Sequence, residues 1–342
     1  MQVEGRVVSP GGRRWLVVLW VVGLLGAAVT AWTMLRDRVS ERPEIYDVGG
    51  THPGDLTPRL QVDDDVKNYG IDVSIPYHFR TNSLGFRGPE ADPDGTPVVV
   101  VLGDSFAFGM GTSEGETFPD ALRSGLRAHW PRVVVHNAAI PGYTITDELE
   151  LVRDKVGKLK PDVVLVCHTA SDLREMARPT SFRRWVAYDD EDPTRTGDED
   201  VARILREGGG DRGQVSRALY LAKDADVMAR VGGVVALTAL RSRYVAELLL
   251  LRDEIVRQKA SAWVGLVLWV GGYGIGDLDA EPVAAAARAA GIAVFDGNRH
   301  MLEVPGNLDR LYLPDKHFSA TGNRIAGDQT SRWVLEQLRG SR

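Results

Sequence analysis

Ser105, Asp315 and His317 have the types and the chain order that nucleophilic catalysis needs. Ser105 stands in Gly103-Asp104-Ser105-Phe106, at the end of a β-branched apolar run that begins at Val98. A hydroxyl there sits at the tip of a buried parallel strand, beside backbone N–H groups free to face an anion. His317 lies in Leu313-Pro314-Asp315-Lys316-His317-Phe318-Ser319, ahead of the last helix. A histidine so placed can swing toward a strand tip, and a carboxylate two residues earlier can orient its ring if the loop turns tightly. Each piece also has a plainer reading. Asp104 and Ser105 would serve equally as a helix cap, and an Asp-x-His as a surface loop.

The rest of the chain must bring these pieces together. Strands are expected from Val98, at 131–136, 162–167, 263–270 and 292–295. Helices are expected at 118–128, about 146–160, 244–260, 282–290 and 319–338. Strands alternating with helices imply an α/β fold with a mainly parallel sheet, right-handed crossovers and all strand tips at one edge. Three tips then carry polar or glycine turns: Ser105, the stretch from Asn137 to Gly142-Tyr143, and His168-Thr169-Ala170-Ser171-Asp172. The alternation breaks at about 174–240, read as an insertion over the site, with 227–240 as a buried or cap helix. Asp63-Asp64-Asp65 lacks the acidic spacing of a calcium loop and reads as a solvated turn.

At 342 residues, 44% of them apolar, the chain has ample material for a core. A net charge of −6 without a basic face argues against a nucleic-acid binder. Residues 15–35 are uncharged, flanked by Arg13 and Arg14 before and Arg36 after, with Trp15 and Trp32 near the two ends. A helix crosses the hydrocarbon core in about 20 residues. The expectation is therefore a cytoplasmic segment at 1–14, a signal-anchor helix at 15–35, a tether and lead-in at 36–76, and an extracytoplasmic domain at 77–342. A cleaved signal peptide and a secreted body form the rival reading.

Cys167 is the single cysteine, so no intramolecular disulfide forms. The seven histidines show no paired metal-ligand spacing, and neither Gly109-Met110-Gly111 nor Gly271-Gly272-Tyr273-Gly274 completes a nucleotide loop. No metal and no cofactor is expected.

Three blocks together resemble the SGNH hydrolases, the GDSL family of serine esterases and acyl-transfer enzymes. They are Gly103-Asp104-Ser105-Phe106, Asn137 through Gly142-Tyr143, and Asp315-x-His317, with Thr81-Asn82-Ser83-Leu84-Gly85-Phe86-Arg87-Gly88 as a lead-in. The resemblance implies a three-layer α/β/α sandwich. It also implies Ser105 as nucleophile, His317 as general base and Asp315 as the carboxylate that positions the imidazole. An oxyanion would be held by the N–H groups of Ser105 and Gly142. The family's third block supplies a further donor from asparagine, whereas this chain has Ser171 there, followed by the expected Asp172. A missing oxyanion donor costs about 10²- to 10³-fold in rate. Ser171, Thr169 or His168 would have to replace it, or the substrate would have to be reactive.

The function expected on this basis is ester hydrolysis or O-acyl transfer through an acyl-enzyme on Ser105. The substrate would be a small-molecule, lipid or glycan ester of the cell envelope. Its rival is a non-catalytic binding or assembly module on the same scaffold, held at the membrane.

Overall fold

The structure is a computed structural model that describes residues 45, 55–69, 73–169, 172–176, 234–269, 280–302, 304 and 308–340. The apolar run at 15–35, Ala170, Ser171 and most of the insertion expected at 174–240 lie outside the described residues. Among the described residues no helix is long and apolar enough to cross a membrane.

Five parallel strands form the central sheet in the order β4-β3-β5-β6-β7. They are β3 (Val98–Leu102), β4 (Val134–Asn137), β5 (Val163–Thr169), β6 (Trp263–Trp269) and β7 (Ala293–Asp296). Every residue of β5 is buried, and β3 and β6 are buried beyond their first residue. Burial on both faces explains why these strands are continuous apolar runs in the sequence rather than alternating ones. Val100 faces His136 of β4 on one side and Val164 of β5 on the other, so β3 is interior. Leu102 is level with Val166, and β5 therefore runs on past the end of β3 through Cys167, His168 and Thr169.

The connection from β3 leads outward to β4, whereas the chain leaves β5 in the opposite direction, to β6. Right-handed crossovers then place α2 (Phe118–Arg127) on one face of the sheet and α3 (Ile145–Asp154), α5 (Val234–Gln258) and α6 (Ala280–Ala289) on the other, with short helices α4 (Asp172–Met176) after β5 and α7 (Gly297–Leu302) after β7. The packing agrees: α2 lies against the last helix, α8 (Ala320–Gly340), while α5 lies against both α3 and α6. The architecture is the expected three-layer sandwich. Its switch point falls between β3 and β5, where open α/β sheets bind ligands.

Helix α2 starts at a reciprocal cap, Thr117 with Asp120, and Pro119 occupies its first turn. It approaches α8 closely. A Cβ added at Gly327 would lie 2.6 Å from the backbone nitrogen of Leu122, and one at Gly125 would lie 2.3 Å from Ser331 Oγ.

Three sequence expectations need correction. Helix α5 is one continuous element from Val234, not separate helices at 227–240 and 244–260. Ser242 and Arg243, which lie between the two expected helices, belong to its exposed face, while Tyr244, Leu248, Leu251 and Ile255 line its buried one. Helix α3 stops at Asp154 and continues as a tighter 3-10 turn at Val156–Leu159. The third correction concerns the lead-in, where a solvated turn was expected: β1 (Gln61–Asp65) pairs antiparallel with β2 (Pro76–Arg80) in a two-stranded ribbon. Asp63 to Asp65 is thus a strand rather than a turn. Asp64 is buried and accepts from Tyr77 Oη at 3.1 Å. Asp65 accepts from the Ser74 hydroxyl and the N–H groups of Lys67 and Ile75, which holds its carboxyl below the usual range.

Candidate active site

Ser105 opens α1 (Ser105–Phe108), a single helical turn at the tip of β3. The chain enters it through Gly103 at φ 149°, where a Cβ would come within 2.7 Å of Ala107 Cβ and 3.0 Å of Cys167 Cβ. Only glycine fits this approach. Asp104 caps the turn, its Oδ1 accepting the Phe106 N–H at 2.9 Å. Gly109, left-handed at φ 91°, ends it and donates to Ser105 O. The last carbonyls of so short a helix find no partner within it and, being buried, need outside donors. Arg87 supplies them, donating from Nη1 to Phe108 O at 3.1 Å and Gly109 O at 2.9 Å. Asn137 Nδ2 donates to Phe108 O at 3.1 Å. The Arg87 guanidinium also lies 4.6 Å from the centre of the Phe108 ring.

The loop before α8 closes tightly. Tyr312 and Phe318 form an antiparallel bridge, Leu313 N–H donates to His317 O at 2.7 Å and Lys316 N–H to Leu313 O at 2.8 Å. Lys316 takes a left-handed conformation, φ 77°, to make this turn. The result aligns the two charged side chains. Asp315 Oδ2 is 2.7 Å from His317 Nδ1, and its Oδ1 accepts the His317 backbone N–H at 3.2 Å. On the far side of the ring, His317 Nε2 is 2.8 Å from Ser105 Oγ. Asp315 and His317 are buried, whereas Ser105 is half-buried. The Phe106 ring lies 4.7 Å from the imidazole and Phe318 packs against Phe106, so apolar walls screen the pair from water. A carboxylate on Nδ1 selects the tautomer that carries its proton there, which leaves the Nε2 lone pair for the serine hydroxyl.

After β4 the chain makes a reverse turn, Ile140-Pro141-Gly142-Tyr143, closed by Tyr143 N–H to Ile140 O at 3.1 Å. Gly142 has φ 85°, the positive angle that a type II turn requires at its third position. Ile140 N–H donates to Gly103 O at 3.0 Å, which seats this turn beside the tip of β3. The backbone N–H groups of Ser105 and Gly142 have no acceptor among the described residues. They are donors of the kind that a developing oxyanion demands.

Other residues of the motif blocks are committed to the scaffold. Asp104 Oδ2 accepts from Thr169 Oγ1 at 2.7 Å. Asp172 Oδ2 accepts the Thr169 N–H at 2.9 Å and lies 2.9 Å from His168 Nδ1. Thr169 and His168, two replacements considered for the third oxyanion donor, are therefore engaged with carboxylates, and Ser171 lies outside the described residues. Asn137 spans α1 and its own turn, its Oδ1 accepting the Ala139 N–H at 3.3 Å. Arg87 is a residue beside the site that sequence reasoning missed. Its place in Leu84-Gly85-Phe86-Arg87-Gly88 marked a recognisable block, but nothing local announces a buried arginine.

Beneath the site, on the α3 side, Glu148 is buried near Asp172, Asp104 and Asp147. Burial first, and those carboxylates second, push its carboxyl well above the usual range. Burial also pushes the Cys167 thiol and the Tyr244 hydroxyl up. No group of three metal-ligating side chains occurs among the described residues.

The family model of the GDSL-like lipase/acylhydrolases matches residues 101–325. No curated protein matches the chain. Among solved structures, a lipase/acylhydrolase from Enterococcus faecalis is similar at 18% identity and a TM-score of 0.44, covering 71% of this chain and 97% of its own. The lipase Lip_vut3 from a goat rumen metagenome is similar at 13% identity and a TM-score of 0.43, covering 69% and 97%. Axe2, an acetylxylan esterase from Geobacillus stearothermophilus, is similar at 16% identity and a TM-score of 0.39, covering 70% and 94%.

Proposed function

The chain belongs to the GDSL-like lipase/acylhydrolase family, and from that premise we propose that it cleaves O-acyl esters through an acyl-enzyme on Ser105. The observation that carries this reading is the 2.8 Å approach of His317 Nε2 to Ser105 Oγ, with Asp315 on the opposite ring nitrogen. Ser105 Oγ attacks the ester carbonyl as His317 takes its proton. The carbonyl oxygen becomes an oxyanion, held by the N–H groups of Ser105 and Gly142. Collapse breaks the ester bond, and His317 returns the proton to the departing alkoxide. Water, deprotonated by His317, then attacks the acyl-enzyme, releasing the acid and restoring the serine. An alcohol in place of water would give transfer of the acyl group. Product analysis with a sugar acceptor separates these outcomes.

The proposed anchor at 15–35 would hold this chemistry at a membrane, which suits lipid, glycan or other envelope esters as substrates. Its support is the uncharged run and its flanking arginines. Retention in the membrane fraction after alkaline extraction, lost on deletion of residues 1–35, is the expected result.

The decisive test is hydrolysis of p-nitrophenyl acetate together with fluorophosphonate labelling. Both are expected to vanish in Ser105→Ala, with kcat down by at least about 10³-fold. A folded wild-type chain that shows neither would favour the binding-module reading.

A further inference from the structure

Tyr143 follows Gly142, and its buried side chain ties the turn to a distant segment. Tyr143 Oη donates to Asp55 Oδ1 at 2.6 Å. Asp55 Oδ2 pairs with Lys155 Nζ at 2.7 Å, and Lys155 also donates to Leu84 O at 3.4 Å. Tyr143 is 0% and Asp55 1% exposed. A carboxylate so deeply buried is stable only with such partners, so the contact is fixed rather than incidental.

The segment carrying Asp55 is itself immobilised. Arg59 N–H donates to Asn82 O at 3.1 Å, Leu60 N–H to Thr81 Oγ1 at 2.9 Å, and Thr81 N–H to Leu60 O at 2.9 Å. Leu56 O occupies the space beside Gly85, where an added Cβ would stand only 2.3 Å away. Asp55 is therefore a fixed point.

The Gly142 N–H belongs to the central peptide of its turn, the unit whose orientation distinguishes one turn type from another. That donor is held only as firmly as the two ends of the turn. Ile140 N–H pins one end to Gly103 O. The Tyr143 hydroxyl pins the other to Asp55.

We infer that Asp55 is a positioning residue for the reaction: through Tyr143 it holds the Gly142 N–H where the oxyanion develops. The inference rests on the serine-hydrolase reading. It extends the working site to a residue outside the stretch 101–325 that matches the family.

The test uses the full chain with Tyr143→Phe, Asp55→Asn and Asp55→Ala. It measures kcat and KM for p-nitrophenyl acetate, and Ki for a trifluoromethyl ketone whose serine adduct carries an oxyanion. A donor needed only in the transition state lowers kcat without raising KM. Tyr143→Phe is expected to lower kcat by about 10²-fold, the low end for loss of an oxyanion donor. KM is expected to stay within about twofold and Ki to rise in step with the fall in kcat. Asp55→Ala is expected to match it, and Asp55→Asn, which keeps an acceptor for the tyrosine, to recover much of the loss. An unchanged kcat in Tyr143→Phe overturns the inference, as does a rise in KM alone or the loss of a cooperative melting transition. Wild-type chain without turnover or Ser105 labelling overturns the hydrolase reading and this inference with it. Active wild type with unaffected variants overturns only the inference.

Discussion

The Thr169 hydroxyl donates to Asp104 Oδ2 while Asp104 Oδ1 takes the Phe106 N–H, so the carboxylate that caps the Ser105 turn is gripped from two sides. Thr169→Val keeps the shape and removes that donor. It is expected to lower kcat on p-nitrophenyl acetate about 10-fold with little change in KM, while Thr169→Ser stays near wild type; equal loss in both would mean that the methyl group matters instead. In the proposed triad, Asp315→Asn would favour the wrong imidazole tautomer. A fall in kcat of about 10⁴-fold, measured near neutral pH, is the expected cost. Ser105, Asp315 and His317 were legible in the sequence because each sits in a short block with its own spacing. Arg87 and Asp55 were not, since their partners lie far along the chain: Arg87 bonds Phe108, and Asp55 bonds Tyr143.

At the level of elements, the contact between α2 and α8 depends on glycine. Gly327→Ala would gain about 1 kcal/mol in helix propensity. Yet its Cβ would stand 2.4 Å from Ala121 Cβ and 2.6 Å from Leu122 N, and backbone cannot rotate away as a side chain can. Overpacking of this kind costs about 1–3 kcal/mol, so the net effect is expected to be destabilising. Differential scanning calorimetry is expected to show Tm lowered by a few degrees, at about 2–4 °C per kcal/mol for a domain of this size. A raised Tm would show that the helices separate freely. The three interior strands β3, β5 and β6 were readable because burial on both faces writes a mostly apolar run. Strand β1 was not, because Gln61, Asp63 and Asp65 alternate with buried positions in a short polar stretch. The continuity of α5 was blurred in the same way by the exposed Ser242 and Arg243 within it.

Across the whole molecule, two buried groups pull stability in opposite directions with pH. Burial and acidic neighbours push the Glu148 carboxyl well up in the fold, whereas in the unfolded chain it ionises above about pH 4.3. Folded protein then holds the extra proton, so stability falls as pH rises. Glu148→Gln cannot ionise and is expected to raise Tm by several degrees at pH 8 and little at pH 4; an equal shift at both would count against a neutral Glu148. His136, pushed down to about 4 by burial, has the opposite effect: stability is lost as pH drops from about 6.5 toward 4. The sheet's strand order has a consequence of another kind. Both of its borders are short, since β4 and β7 have four residues each, and the bridge from Arg87 to Asn137 occupies part of the outer rim of β4. Long unpaired borders invite strands from other molecules. Among the described residues the central sheet leaves little backbone for a neighbouring copy to zip onto, so pairing of two copies border to border through this sheet is disfavoured.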